Sequence, residues 1–212
     1  MAAGGPPMGC ADEADLDHAL ADADTGGHSL FGFIDVTKVW ARNETTEGSA
    51  AGVLKPWHRR AEPVPFVLSA DEDPELIIHI PFKQDVMIRS VAFGCGGGEE
   101  GSAPSVVRLF ANRETLDFET GHGLEPSQTL DTVVADASAD ADHPLRPDRF
   151  RSCSSVTVFV TDSVDGEGTL LSYIGFKGKS VGGKRQPVSA VYELVGAPTK
   201  SSDPLDVPKF VS

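Results

Sequence analysis

Six histidines, three cysteines, a glycine cluster and an excess of carboxylates are the groups in this 212-residue chain that could do chemistry. His18, His28, His58, His79, His122 and His143 show neither an i,i+4 pair nor H-E-x-x-H, so a zinc site would have to draw ligands from scattered loops. Asp22-Ala23-Asp24-Thr25-Gly26-Gly27 opens like a calcium loop, but Phe33 stands at the twelfth position, where a bidentate Glu is required. Asp140, Asp142 and His143 form a second acidic knot, which reads more simply as hydrated carboxylates than as a cation site. No G-x-S-x-G elbow is present, and the cluster Gly94–Gly98 lacks both the Lys-Ser/Thr pair and the helix of a phosphate cradle. Cys10, Cys95 and Cys153 contain no C-x-x-C, which removes disulfide exchange and cysteine-bound zinc. The expectation is no catalytic residue, no metal and no cofactor.

Two basic clusters stand out on a chain whose net charge is −14. Lys55, His58, Arg59 and Arg60 surround Trp57, and Lys177, Lys179, Lys184 and Arg185 follow Phe176 in a glycine-rich stretch read as a connection. They are either solvated loop charges or a contact for an acidic partner, whose encounter complementary charge would accelerate and orient. The candidate partner-binding residues are therefore Lys55, Arg59, Arg60, Lys177, Lys179, Lys184 and Arg185. Phe210, in the closing tail, is the apolar candidate.

The elements that must position these residues read as strands. Phe66–Phe82 joins two apolar runs through an acidic turn and is expected to end at Pro81. Val86–Phe93, Ser105–Ala111, Ser155–Thr161 and Leu170–Phe176 are further β-branched or aromatic runs bounded by Gly, Pro, Asp and Ser. That pattern predicts an all-β sandwich. Strict alternation puts Val86, Ile88, Ser90 and Ala92 on one face and Met87, Arg89, Val91 and Phe93 on the other, a strand in mid-sheet. In Val156–Val160 it predicts one buried face, that of Val156, Val158 and Val160. Trp57, beside Pro56 and outside any alternating run, reads as a plug at the edge of the core. Asp136–Pro147 reads as a long surface loop.

Composition sets the organisation and the compartment. With 40% hydrophobic residues the chain carries one sizeable core. Residues 1–27, rich in Ala, Gly and Asp, are expected to form a flexible arm, 28–196 the folded domain and 197–212 an extended tail. The negative charge opposes binding to nucleic acid and to anionic membrane. No apolar run approaches a membrane span, and the first twenty residues have neither the cationic region nor the apolar core of a secretory signal. A soluble intracellular protein is expected.

Several motifs in order carry a resemblance. Leu54-Lys55-Pro56-Trp57, Phe66-Val67, Ser69-Ala70-Asp71-Glu72-Asp73 and Glu75-Leu76-Ile77-Ile78-His79-Ile80-Pro81-Phe82 resemble the front half of the PITH domain, the proteasome-interacting module of thioredoxin-like proteins. The back half is similar through Val107-Arg108-Leu109-Phe110-Ala111-Asn112, Leu116-Asp117-Phe118, Glu125-Pro126, Gln128-Thr129, Arg149-Phe150 and Tyr173-Ile174-Gly175-Phe176-Lys177-Gly178-Lys179. The resemblance implies a jelly-roll β-sandwich of galactose-binding-like type, in a non-enzymatic protein of cytoplasm and nucleus that associates with the proteasome or another large assembly. No C-x-x-C thioredoxin domain precedes it, so the redox activity of fused relatives is not implied. Ala41 and Arg42 also depart from the family, which has apolar residues and cysteine before Asn43-Glu44. The alternatives are a structural subunit of a cytoskeletal or axonemal (ciliary) complex and a carbohydrate-binding module. The expected partner is protein, with no nucleic acid, membrane or small-molecule substrate.

Overall fold

In the computed structural model, described for residues 27–70, 73–96, 102–131, 133 and 135–181, the apolar runs on either side of Pro81 merge into a single strand, Leu76–Gly94. Proline lacks the ladder N–H, but that loss matters little where a strand changes neighbours. Around Pro81 the partner register moves only from Ser155 to Cys153 while the long strand advances five residues, from Pro81 to Val86. The carbonyl of Pro81 is used instead, accepting from Asp35 N at 2.9 Å. The expected stop is thus a bend within one strand.

In chain order the strands are β1 (His28–Ser29), β2 (Trp40–Arg42), β3 (Val67–Leu68), β4 (Leu76–Gly94), β5 (Pro104–Ala111), β6 (Gln128–Leu130), β7 (Ala135–Asp136), β8 (Asp142–Pro144), β9 (Cys153–Ser163), β10 (Leu170–Leu171) and β11 (Tyr173–Ser180). Two short helices, α1 (Ser49–Gly52) and α2 (Phe118–Gly123), interrupt them. The first half of β4 lies between β2 and β9, and β9 continues the sheet through β5 to β6. The second half lies between β11 on one side and β7 and β8 on the other, with β1 beyond β11. One bent strand therefore belongs to both layers of an all-β jelly-roll sandwich.

The core fills the space between the layers. Ile78 and Ile80 from the first half of β4, Leu109 and Val158 from the first layer, and Val91, Phe93, Ile174 and Phe176 from the second pack in one cluster. Phe82, just past the bend, is 6% exposed and meets Phe176 edge-on at 5.9 Å.

Two face assignments differ from simple alternation. Lys177 pairs with Ser90 but Gly178 pairs with Ile88, so Arg89 is an extra, bulged residue. A bulge reverses the side-chain phase beyond it. Val86 and Ile88 accordingly join Val91 and Phe93 in the main core, while Ala92 faces outward against Tyr173. In β9 Thr157 and Phe159 are as buried as Val156, Val158 and Val160, which alternate with them. Over Phe159 the cause is α2, capped by the Asp117 carboxylate on Thr120 N at 2.7 Å, whose Phe118 ring meets Phe159 edge-on and packs on a second cluster of Ile77, Phe110, Leu116 and Phe159. Thr157 is engaged instead by His79 and the Arg113 carbonyl.

Candidate protein-binding surface

Residues 53–66 leave α1 and cross the outer face of the second layer, and two devices fix their path. Lys55 is 4% exposed and donates from Nζ to the Glu62 carbonyl at 2.8 Å, closing the loop on itself. Its burial pushes the Lys55 ammonium pKa below the ordinary lysine value. Trp57 then packs against Ala92, Ala139 and Tyr173, meeting the Tyr173 ring edge-on at 6.4 Å. The plug expected at the edge of the core is instead an anchor on the outside of a sheet, apart from the main core.

One cation from each basic cluster, more than a hundred residues apart in sequence, meets this indole. Arg60 Cζ lies 4.3 Å and Lys177 Nζ 3.9 Å from the ring centroid. Each cation also has a carboxylate: Arg60 reaches Asp140 Oδ1 at 2.6 and 2.8 Å, and Lys177 reaches Asp142 Oδ2 at 2.7 Å. The Arg60 guanidinium holds the Asp140 carboxyl below its ordinary pKa. Arg59 pairs with Glu62 at 2.7 and 2.8 Å, which raises the pKa of the arginine and lowers that of the acid.

These contacts revise the candidate residues. Lys177 is not in a connecting loop. It sits within β11, 7% exposed, and serves the fold. Lys55 is likewise buried, so neither presents charge to a partner. Arg59 and Lys179 are exposed, and Arg60 is half-buried over Trp57. Lys184, Arg185, Phe210, Cys10, the N-terminal arm and the C-terminal tail lie outside the described residues. Asp140 and Asp142 serve as the counter-ions just described, and among the described residues no three His, Cys, Asp or Glu side chains converge as ligands.

The motif through β11 has a physical reading residue by residue. Ile174 and Phe176 point into the core while Tyr173, Gly175 and Lys177 alternate onto the outer face with Trp57. The Tyr173 phenol occupies the place that a Cβ on Gly175 would take. At the bulge, a Cβ on Gly178 would strike the Met87 carbonyl, so the crossing of β11 and β4 there needs glycine.

Sequence reading missed a run of exposed apolar side chains. Beyond Glu62 the same loop carries Val64 (60% exposed) and Phe66 (44%), with Leu68 (36%) next in β3. Pro63 and Pro65 flank Val64, also exposed. The signal was present in that punctuation: Pro-Val-Pro ahead of Phe66 marks an irregular segment with no face to bury.

The PITH domain family model matches residues 21–196, most of the chain. This protein belongs to the PITH domain family. PITH domain-containing protein 1 of Xenopus laevis is 30% identical over 172 residues, 81% of this chain and 80% of the relative. The human protein of that name is 30% identical over 152 residues, 72% and 70% of the two chains. The Dictyostelium discoideum protein is 28% identical over 179 residues, 84% and 87%. Among solved structures the PITH fold of this chain is similar to the CBM32-1 and CBM32-2 domains of Clostridium perfringens ZmpB in complex with GalNAc. That match has a TM-score of 0.52 and 7% identity, covering 80% of this chain and 39% of the other. It shows a shared galactose-binding-like sandwich and nothing of ligand.

Proposed function

We propose that this PITH protein is a non-enzymatic intracellular module, of cytoplasm and nucleus, that docks on the proteasome or another large protein assembly through the loop spanning Trp57 to Leu68. Membership of the PITH family supports a protein-interaction role. The observation that carries the choice of surface is the exposed ridge of Val64, Pro65, Phe66 and Leu68 beside the Arg59–Glu62 pair. An apolar centre with a charged rim is the anatomy of a protein interface. The ridge is also held in place before binding, because Lys55 closes the loop and Trp57 anchors it, so little ordering entropy is lost on docking.

Sugar binding is the less supported reading, although the fold is shared. A sugar platform built on tryptophan needs a free indole face. The Trp57 indole already carries two cations, and Trp40 stacks on His79 at 5.1 Å with 18° between planes.

The test is capture from native cell extract with the full chain as bait, then mass spectrometry. Val64→Asp with Phe66→Asp should abolish enrichment of the partner assembly while leaving the melting temperature unchanged. Equal enrichment by wild type and variant would reject this surface, and proteasome subunits absent from the wild-type capture would reject that partner.

A further inference from the structure

A second surface lies on a different part of the sandwich, where the edge strand β6 faces the turn after β8. Residues 125–129 form one wall and Arg146 and Arg149 the other, around a cavity of about 440 Å³. That is within the range of ligand-binding clefts, roughly 300–1,000 Å³. The walls are tied together by Gln128, whose amide donates to the Pro144 carbonyl at 3.0 Å and accepts from Arg146 N at 2.8 Å. The turn itself is anchored from beneath. Leu145 and Phe150 are buried, Leu145 N donates to the Arg89 carbonyl at 2.7 Å, and Ile88 N donates to the Phe150 carbonyl at 3.0 Å. The bulge at Arg89 thus helps to fix the turn that carries the arginines.

The two arginines differ from those at Trp57. Arg60 and Arg59 meet their carboxylates at 2.6–2.8 Å. Arg146 and Arg149 share one oxygen, Asp148 Oδ2, at 3.4 and 3.6 Å, with side chains 61% and 51% exposed. Strong charge-assisted bonds run about 2.7–2.9 Å, so neither contact with this shared acid saturates a guanidinium fork. Segment 145–152 carries Arg146, Arg149 and Arg151 against Asp148 alone, on a chain of net charge −14. Glu125, on the opposite wall, sets a polarity: anionic groups belong at the arginine side and N–H donors at the glutamate side.

We propose that this groove is a binding site for an acidic peptide segment of a partner protein, with Arg146 and Arg149 each gripping a side-chain carboxylate and Glu125 receiving a peptide N–H. Arginine pairs of this kind recognise carboxylates bidentately. The site is separate from the Val64–Phe66 ridge, so either can fail without the other.

A fluorescein-labelled peptide of alternating Glu and Ser, titrated with the full chain and monitored by anisotropy, tests the site directly. Three comparators complete the experiment: the same peptide with Gln for Glu, a labelled oligouridine, and the ridge variant Val64→Asp with Phe66→Asp. The acidic peptide should bind wild type and ridge variant alike, weaken as salt rises, and lose at least about tenfold in affinity on Arg146→Gln with Arg149→Gln. A charge reversal, Arg146→Glu with Arg149→Glu, should lose more, with melting temperatures confirming that both variants fold. No binding by the acidic peptide, equal binding by the Gln peptide, tighter binding by oligouridine, or insensitivity to both arginine variants would each overturn the proposal.

Discussion

Lys177 holds its ammonium 3.9 Å from the centroid of the Trp57 ring, tying β11 to the loop that crosses its outer face. With Asp142 at 2.7 Å and 8% side-chain exposure, this cation is a structural pin. Lys177→Glu would leave a carboxylate facing Asp142 in a nearly dry site. Breaking a buried pair by changing one partner costs about 3–5 kcal/mol, and a loss of that order is expected in urea denaturation. Lys177→Met keeps the aliphatic stem and should cost less. A loss below about 1 kcal/mol for Lys177→Glu would mean the ammonium is solvated.

Phe82→Ala should cost about 3–5 kcal/mol, the range for an aromatic removed from a packed core. Phe82 lies where β4 passes between layers, and its edge contact with Phe176 at 5.9 Å joins the two halves of the sandwich. Denaturation midpoints measured with an unchanged m-value would report the loss cleanly. A shift under about 1 kcal/mol would place this side chain outside the core.

How much of the fold and of the binding surface was legible in the sequence depends on the range of the interaction. The strands and the burial of Phe82 come from local apolar pattern and turn residues, which act within a few positions. The bulge at Arg89 does not, because one extra residue leaves composition unchanged while reversing the side-chain phase of the rest of the strand. The burial of Phe159 depended on α2, about forty residues earlier, folding over it. Lys177 looked like loop charge because glycines surround it, yet Gly175 and Gly178 are there for close contacts within a strand. The Arg146–Arg149 groove needed Gln128 to bridge two layers. No spacing within residues 144–152 announces that partner.

Thiol chemistry should be separable from binding. Cys153 is fully buried, and burial beside Asp85 pushes its pKa up to about 12, while burial also raises that of half-buried Cys95. At pH near 7.5 iodoacetamide should label Cys153 only after denaturation, and Cys95 more slowly than free cysteine, since the thiolate is the reactive form. Replacing Cys10, Cys95 and Cys153 by Ala, which spares the core a buried hydroxyl, should leave partner capture intact. Rapid labelling of native Cys153 would contradict the burial, and capture lost from a folded triple variant would give the thiols a role.

His79 should make stability depend on pH with a definite sign. Thr157 Oγ1 spends its hydrogen on the Arg113 carbonyl at 2.7 Å, so His79 Nδ1 must donate to that oxygen at 2.9 Å. Desolvation lowers the His79 pKa below its ordinary 6.5, against smaller opposing effects of Glu114 and the Arg113 backbone. Below about pH 6.5 the unfolded chain therefore binds more protons at this position than the folded one. Its contribution is fully present above that pH and is lost as pH falls toward the depressed folded value, with a limiting slope of about 1.4 kcal/mol per pH unit. His79→Gln also loses the Trp40 stack, so the slope, and not the absolute stability, is the quantity to read. Unfolding free energies between pH 7.5 and 5.5 should fall more steeply for wild type than for His79→Gln, the other histidines contributing equally to both. Parallel curves would show that His79 takes up its proton without cost in the folded protein.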